Sequence, residues 1–224
     1  DGQKMTQVSD TLQVGLTQSG ADIFMRVKNG NGVFVSQAAP ANTGTGVASQ
    51  GTVSNPALLT GNNYSVAFTV AAGVSTYSVT NTTTGLAVAG MTAQPYVSGQ
   101  AINVDGMQFA VQGAPANADT FTLAPSSNVS IFKTIADAIT LLNTPVVAGN
   151  TAQLANLSSS VTNAISNLDR GLSNVSTALS KAGSSWQSVD AAQVTGDSLG
   201  LSKLYRNCKT QMLLKPALIY SSNY

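Results

Sequence analysis

Two hydrophobic periods divide the chain. Between Asn29 and Phe132 apolar and polar residues alternate in short runs: Val33-Phe-Val-Ser36, Tyr64-Ser-Val-Ala-Phe-Thr-Val70, Val74-Ser-Thr-Tyr-Ser-Val79, Leu86-Ala-Val88, Ala101-Ile-Asn-Val104, Met107-Gln-Phe-Ala-Val111 and Phe121-Thr-Leu123. Turn residues separate them at Asn29-Gly-Asn-Gly32, Ala72-Gly73, Asn81–Gly85 and Asp105-Gly106. Asn-Gly and Asp-Gly supply the positive φ that two-residue hairpins require, so the run Asp22-Ile-Phe-Met-Arg-Val27 is expected to pair with Val33-Phe-Val-Ser36 across Asn29–Gly32. The Gly/Thr/Ser-rich stretch Asn42–Gln50 reads as a loop. About seven or eight strands at this spacing predict an antiparallel sandwich or barrel.

After Pro125 the period lengthens. Ile131, Ile135, Ile139 and Leu142 fall on one helical stripe, with Ser126 or Ser127 as the expected cap and Pro145 as the stop. A second stripe runs through Leu154, Leu157, Val161, Ile165, Leu168, Leu172, Val175, Leu179, Ala182, Trp186 and Val189, at intervals of three and four. Over about 36 residues this makes a helix of roughly 50 Å. Its flanks hold Ser, Asn, Thr and Ala in place of Glu and Lys, so interhelical ion pairs cannot set a partner or register. Two readings stay open: a long helix packed on its own domain, or true coiled-coil pairing. Both demand apolar surface from elsewhere, because a single-striped helix draws most of its stability from packing. The seam residues Leu154, Leu157, Val161, Ile165, Leu168, Leu172, Val175, Leu179 and Trp186 are therefore the candidate packing surface. The expected fold is α+β: an antiparallel β-sandwich or barrel-like domain followed by a short helix and one long C-terminal helix.

Composition narrows the chemistry. Charged residues make up 8% of the 224 residues, all nine acids are Asp, and Glu and His are absent. A net charge of +1 makes neither nucleic acid nor anionic lipid an obvious partner. Without His there is no Ser-His-Asp or Cys-His machinery and no imidazole-ligated metal. The single Cys, Cys208, allows no disulfide framework within the chain. No apolar run reaches bilayer-spanning length, and the opening DGQKMTQVSD does not read as a signal peptide. Asp105 and Asp119 are the carboxylates to weigh for acid–base work; the first sits in an Asp-Gly turn and the second in a Pro/Asn/Ala loop. No calcium-loop spacing occurs. The expectation is a non-catalytic chain with no cofactor and no metal. A neutral surface rich in Ser, Thr and Asn packs beside copies of itself without like-charge repulsion, though any secreted β domain can share that composition.

The last stretch, Leu204–Tyr224, has three basic residues, no acid, the only Cys and three of the six Tyr. Back-translated and read one nucleotide out of register, it yields Leu-Ser-Glu-Leu-Gln-Asp-Ala-Asp and onward, an amphipathic helix, so a frameshift origin is one expectation for it.

Several separated motifs carry a resemblance. They are Ser19-Gly-Ala-Asp-Ile-Phe24 with Asn29-Gly-Asn-Gly-Val-Phe34, Tyr64-Ser-Val-Ala-Phe68 with Tyr77-Ser-Val79, Tyr96-Val-Ser-Gly-Gln-Ala-Ile102 with Asp105-Gly106, Val111-Gln-Gly-Ala-Pro-Ala-Asn-Ala-Asp-Thr-Phe121, Ser130-Ile-Phe-Lys-Thr-Ile-Ala-Asp-Ala-Ile139 and Leu168-Asp-Arg170. In this order and spacing they resemble the flagellar hook-associated protein 3 family, the junction proteins between hook and filament of bacterial flagella. The resemblance runs from about Gly2 to Lys203. It implies a structural, non-catalytic subunit exported by the flagellar type III apparatus without a cleaved signal peptide. It also implies a homo-oligomeric ring in the full-length form, contacts with the adjacent hook-associated protein and flagellin, an export chaperone, an extracellular location, and no membrane insertion or nucleic acid. By the same resemblance residues 1–17 and 127–203 belong to the rod, 18–126 form the β domain, 204–224 are an atypical tail, and the family's terminal assembly helices are missing. A flagellin-like filament subunit stays open as an alternative. So does a surface adhesin or phage fibre domain, with Asn42–Asn55 as its binding loop.

Overall fold

The computed structural model describes residues 5–7, 13–15 and 17–219, with side chains at all of these except 6, 14 and 210–219. Parts of two expected segments, residues 1–4, 8–12 and 16 of the rod and 220–224 of the tail, lie outside the described residues. The chain divides into two compact units, Gly20–Val175 and Asp1–Ser19 with Ser176–Tyr224.

In chain order the strands are β1 (Met5–Gln7), β2 (Gln13–Gly15), β3 (Val27–Lys28), β4 (Phe34–Ala38), β5 (Val47–Ala48), β6 (Thr52–Val53), β7 (Tyr64–Ala71), β8 (Val74–Asn81), β9 (Leu86–Ala87), β10 (Gln94–Pro95), β11 (Ala101–Val104), β12 (Met107–Gln112), β13 (Thr120–Pro125) and β14 (Asn128–Val129). The α-helices are α1 (Gly20–Phe24), α2 (Ile131–Leu142) and α3 (Thr151–Ile219).

In the larger unit alternation decides the layers. Tyr64, Val66 and Phe68 of β7 turn inward, as do Ile102 and Val104 of β11, Phe109 and Val111 of β12, and Phe121 and Leu123 of β13. One sheet runs β10-β8-β7-β13-β4 with β9 also on β8; the other runs β11-β12-β5 with β6 also on β12. All their pairings are antiparallel. The two inner faces share one core, in which the Phe68 ring meets Tyr96 at 5.1 Å and Phe121 at 5.6 Å, both edge-on. The sheets stay open. Among the described residues β4 pairs only with β13, and β10 only with β8, so the sandwich half of the expectation holds and the barrel half does not.

Two hairpins follow their turn residues, whereas the one expected across Asn29–Gly32 does not form, because residues 20–24 are helical, β3 pairs with β14 and β4 pairs with β13. Ala72 and Gly73 both have positive φ (49° and 79°), as do Asp105 and Gly106 (43° and 81°), the geometry of a primed turn. The expected helix cap is corrected. Ser126 Oγ and Ser127 N bond Asn29 Oδ1 instead, β14 pairs with β3, and α2 begins after Ser130.

In the smaller unit β1 pairs with β2, Met5 opposite Gly15. Gln18 Nε2 donates to the Ala178 carbonyl of α3 at 3.1 Å. The helix extends past the end of the apolar seam at Val189.

Candidate assembly surface

Within Gly20–Val175, α3 meets its own β-domain through amides and hydroxyls. Asn156 Nδ2 donates to the Asn42 carbonyl (3.4 Å) and Asn163 Nδ2 to the Ser36 carbonyl of β4 (3.2 Å). Asn167 Oδ1 accepts from Gly30 N (3.0 Å), while Arg170 Nε and Ser166 Oγ donate to the Gly30 carbonyl (2.7 and 3.3 Å). Ser166 Oγ also bonds Gln50 Oε1, and Gln50 Nε2 donates back to the Thr162 carbonyl. Positions 156, 163, 166, 167 and 170 recur at helical spacing, so they form one polar face. The buried positions Ala155, Ser159 and Ser166 lie on the same side. Gly30 has φ 59°, in the left-handed region that glycine tolerates, which turns its N–H and carbonyl toward α3.

The apolar seam lies on another face. Leu154 and Ile165 are more than half exposed, Leu172 is 67% exposed, and Leu157, Val161, Leu168 and Val175 are half-buried. In the other unit Leu179 and Trp186 are exposed by 73% and 74%. Within Gly20–Val175, α3 thus packs on its own domain, as the first of the two readings had it, seated by the polar face while the seam stays partly exposed.

Helix α2 behaves alike. Its one buried residue is Thr134, whose hydroxyl returns to the Ser130 carbonyl, while Phe132, Ile135, Ile139 and Leu142 are exposed. Phe132 contacts Phe24 of α1 at 5.8 Å between ring centroids. The two helices close together at Gly171, where any Cβ would overlap Ile131. Between α2, α3 and β4 lies an open groove of about 650 Å³, lined among others by Pro40, Lys133, Ala138, Leu157 and Asn163. The buried hydroxyl of Ser159 also faces this groove, and among the described residues it has no hydrogen-bond partner.

The two carboxylates singled out from the sequence serve separate structural tasks. Asp105 accepts the phenolic hydrogen of Tyr64, and Tyr64 also bonds Thr60 Oγ1 at 2.6 Å. Burial, and then the neighbouring Asp105 carboxylate, raise the Tyr64 pKa above its ordinary value. Asp119 is buried and accepts three backbone N–H groups, from Thr43 (2.8 Å), Gly44 (3.0 Å) and Ala116 (2.8 Å). The Asn42–Asn55 stretch is a strap laid on the fold. Asn42 bonds both backbone groups of Thr120, Ser36 Oγ donates to Ser49 O, and Ser54 N and Asn55 N share the Gly106 carbonyl. Its polar groups are largely spent on its own chain. Cys208 is exposed. Among the described residues no group of three or more His, Cys, Asp or Glu side chains could hold a metal ion, and no helix is long and apolar enough to cross a membrane.

Sequence reasoning missed the polar face of α3. Its signal was the recurrence of Asn and Ser at 156, 163, 166 and 167, which looks the same as a solvated helix face until the β-domain is placed against it.

No protein-family model matches the chain, and no curated protein does. Solved structures do. The flagellar junction protein FlgL from Legionella pneumophila superposes with a TM-score of 0.80 at 28% identity, over 90% of this chain and 64% of that one. The flagellar hook-associated protein-3 from Legionella pneumophila gives 0.84 at 27% identity, over 94% and 65%. FlgL from Xanthomonas campestris gives 0.80 at 27% identity, over 93% and 64%. The chain thus spans slightly less than two thirds of the length of these structures. Over at least 90% of its length the chain is thus similar in fold and sequence to flagellar hook-associated protein 3 junction proteins.

Proposed function

We propose that the chain is part of a structural subunit of the bacterial flagellum that joins hook to filament. One observation carries this reading: α2 and α3 both turn their apolar stripes away from the β-domain they support. Covering such stripes needs apolar surface that this domain does not supply, and an assembly subunit receives it from neighbours. In this reading residues 127–203 form the rod, with 1–17 as its entry, and 18–126 form a projecting β domain. The seam from Leu154 to Trp186 is the packing surface. The partners are copies of the subunit in a ring, the adjacent hook-associated protein and flagellin, with a chaperone during export to the cell exterior. The role requires no catalytic residue, which fits carboxylates bound up in turns and loops.

The test is Ile165→Asp with Leu172→Asp in the gene, scored by swimming and by retention of filaments. Both side chains are more than half exposed, so folding survives, with the thermal midpoint of the purified chain lowered but the transition still cooperative. The expected result is shed filaments with a folded protein. Normal swimming of the double variant would remove the seam from the assembly role.

A further inference from the structure

We propose that Asn29 is a deamidation site gated by α3. Asn29-Gly30 and Asn31-Gly32 are both Asn-Gly steps. In such a step glycine's lack of a Cβ leaves its backbone nitrogen open to the preceding carboxamide. The deprotonated Gly30 nitrogen bonds to Asn29 Cγ, and the bond from Cγ to the carboxamide nitrogen breaks, so that nitrogen leaves as ammonia. Water then opens the five-membered imide at either carbonyl, giving aspartate or isoaspartate. The balance is one water consumed and one ammonia released, with no oxidant or reductant.

Both reacting ends are held in the folded chain. The nucleophile, Gly30 N, donates its hydrogen to Asn167 Oδ1 of α3 at 3.0 Å. The Gly30 carbonyl is gripped by Arg170 Nε at 2.7 Å and Ser166 Oγ at 3.3 Å, both also on α3. The electrophile, the Asn29 carboxamide, accepts from Ser127 N at 2.8 Å and Ser126 Oγ at 3.2 Å. Cyclisation requires the Gly30 nitrogen to lose its partner, and therefore requires α3 to lift.

The neighbouring step is a built-in control for the Asn167 contact, because its hydrogen bonds are made to the loop and β-domain, although the Arg170 guanidinium of α3 packs against Gly32. Asn31 Oδ1 accepts from Val33 N and Phe34 N, its Nδ2 donates to the Gly51 carbonyl, and Gly32 N donates to the Asn29 carbonyl. The consequence of reaction is one-way. Isoaspartate inserts an extra backbone atom before Gly30, displaces its carbonyl from Arg170 and Ser166, and prevents α3 from reseating.

The experiment incubates the full 224-residue chain in mildly alkaline buffer at physiological temperature, natively and in urea. Mass spectrometry of the chymotryptic peptide Met25–Phe34 follows, with fragmentation to separate the two asparagines. Native Asn29 reacts about tenfold or more slowly than in urea, since reaction waits on local opening. Asn167→Ala and Arg170→Gln, two variants that weaken the grip at different atoms, each speed Asn29 several-fold, and Asn167→Ala, which does not touch the Asn31-Gly32 step, leaves Asn31 at its native rate. Equal rates at Asn29 with and without urea would overturn the proposal. So would no acceleration in either variant, or equal acceleration of Asn29 and Asn31 in both, which would mean that the loop had simply melted.

Discussion

The two faces of α3 invert the usual cost of substitution, and that inversion can be measured. Consider Leu172→Ala against Asn163→Ala with Asn167→Ala. Leu172 is 67% exposed in the chain. Full burial of a leucine is worth about 1.5–3 kcal/mol, so the third still covered carries about 0.5–1 kcal/mol, and alanine's better helix propensity returns part of that. The asparagine pair is different. Removing both side chains strips the Ser36 carbonyl of its α3 donor and Gly30 N–H of its acceptor. Each backbone group left unsatisfied in a part-buried site costs about 1–3 kcal/mol, against about 0.5 kcal/mol per site regained from helix propensity. The double variant is therefore expected to lose about 1–5 kcal/mol, and Leu172→Ala less than about 1 kcal/mol. Urea unfolding followed by far-ultraviolet circular dichroism reads both. Trp186 fluorescence is a poor reporter, being 74% exposed and in the other compact unit. If Leu172→Ala destabilised the chain more than the asparagine pair, the apolar stripe would be holding the fold together, and the case for a surface left free for neighbours would fail.

Other predictions follow from single sites. Asp119→Asn should destabilise the chain by about 2–4 kcal/mol despite its near-identical shape. One carboxylate oxygen serves Thr43 and the other serves both Gly44 and Ala116, so an NH2 in either position faces a donor, and chemical denaturation measures the loss. Alkaline pH should unfold the protein. The pKa values of Tyr64, Tyr77 and Tyr96 are all raised from 10.0, chiefly by burial, so the stability they contribute is fully present below pH 10 and is lost as pH climbs through their folded values. A pH series of thermal midpoints should show that fall, shallower in Tyr64→Phe; a flat profile would contradict it. At the helix crossing, Gly171→Ala alone sets a relief of about 1 kcal/mol in helix propensity against an overlap with Ile131. Paired with Ile131→Val it should be more stable than Ile131→Val alone, as thermal melts would show.

How much of this was legible beforehand depended on whether a pattern had more than one meaning. The Asp105-Gly106 and Ala72-Gly73 turns and the buried alternation in β7, β11, β12 and β13 admit one reading, and they were found where the pattern put them. The strap strands β5 and β6 have two residues each, too few for a period to register, and they exist because the β12 edge offers them partners. The α2 start was misjudged because Ser126, Ser127 and Ser130 are all competent caps, and Asn29, distant in sequence, claims the first two. Beyond Val189 no seam was read, yet α3 continues to Ile219, since extending an existing helix costs little per residue and its one proline, Pro216, comes only in the last turn. Positions on the α3 seam were found from their spacing. Their exposure was not readable, because the spacing of an apolar stripe does not say which molecule covers it.

The separation of polar and apolar faces on α3 has a thermodynamic sense. A helix that seats on its domain through amide-to-backbone bonds is fixed in register, because such bonds tolerate little displacement, while each adds only about 1 kcal/mol net. The non-directional contribution stays unspent. Phe132, Ile135, Ile139, Leu142, Leu154, Ile165 and Leu172 each keep at least 42% of their surface exposed. Covering such side chains yields about 1 kcal/mol apiece, several kcal/mol together, which is comparable to the whole folding stability of a typical domain at 5–15 kcal/mol. With a charge of only +1 and few ionic side chains on these helices, little long-range repulsion opposes that burial between like subunits. A fold that needed the stripe for itself would have turned it inward. Here the sandwich core and the amide seat suffice, and the apolar area remains as driving force for association.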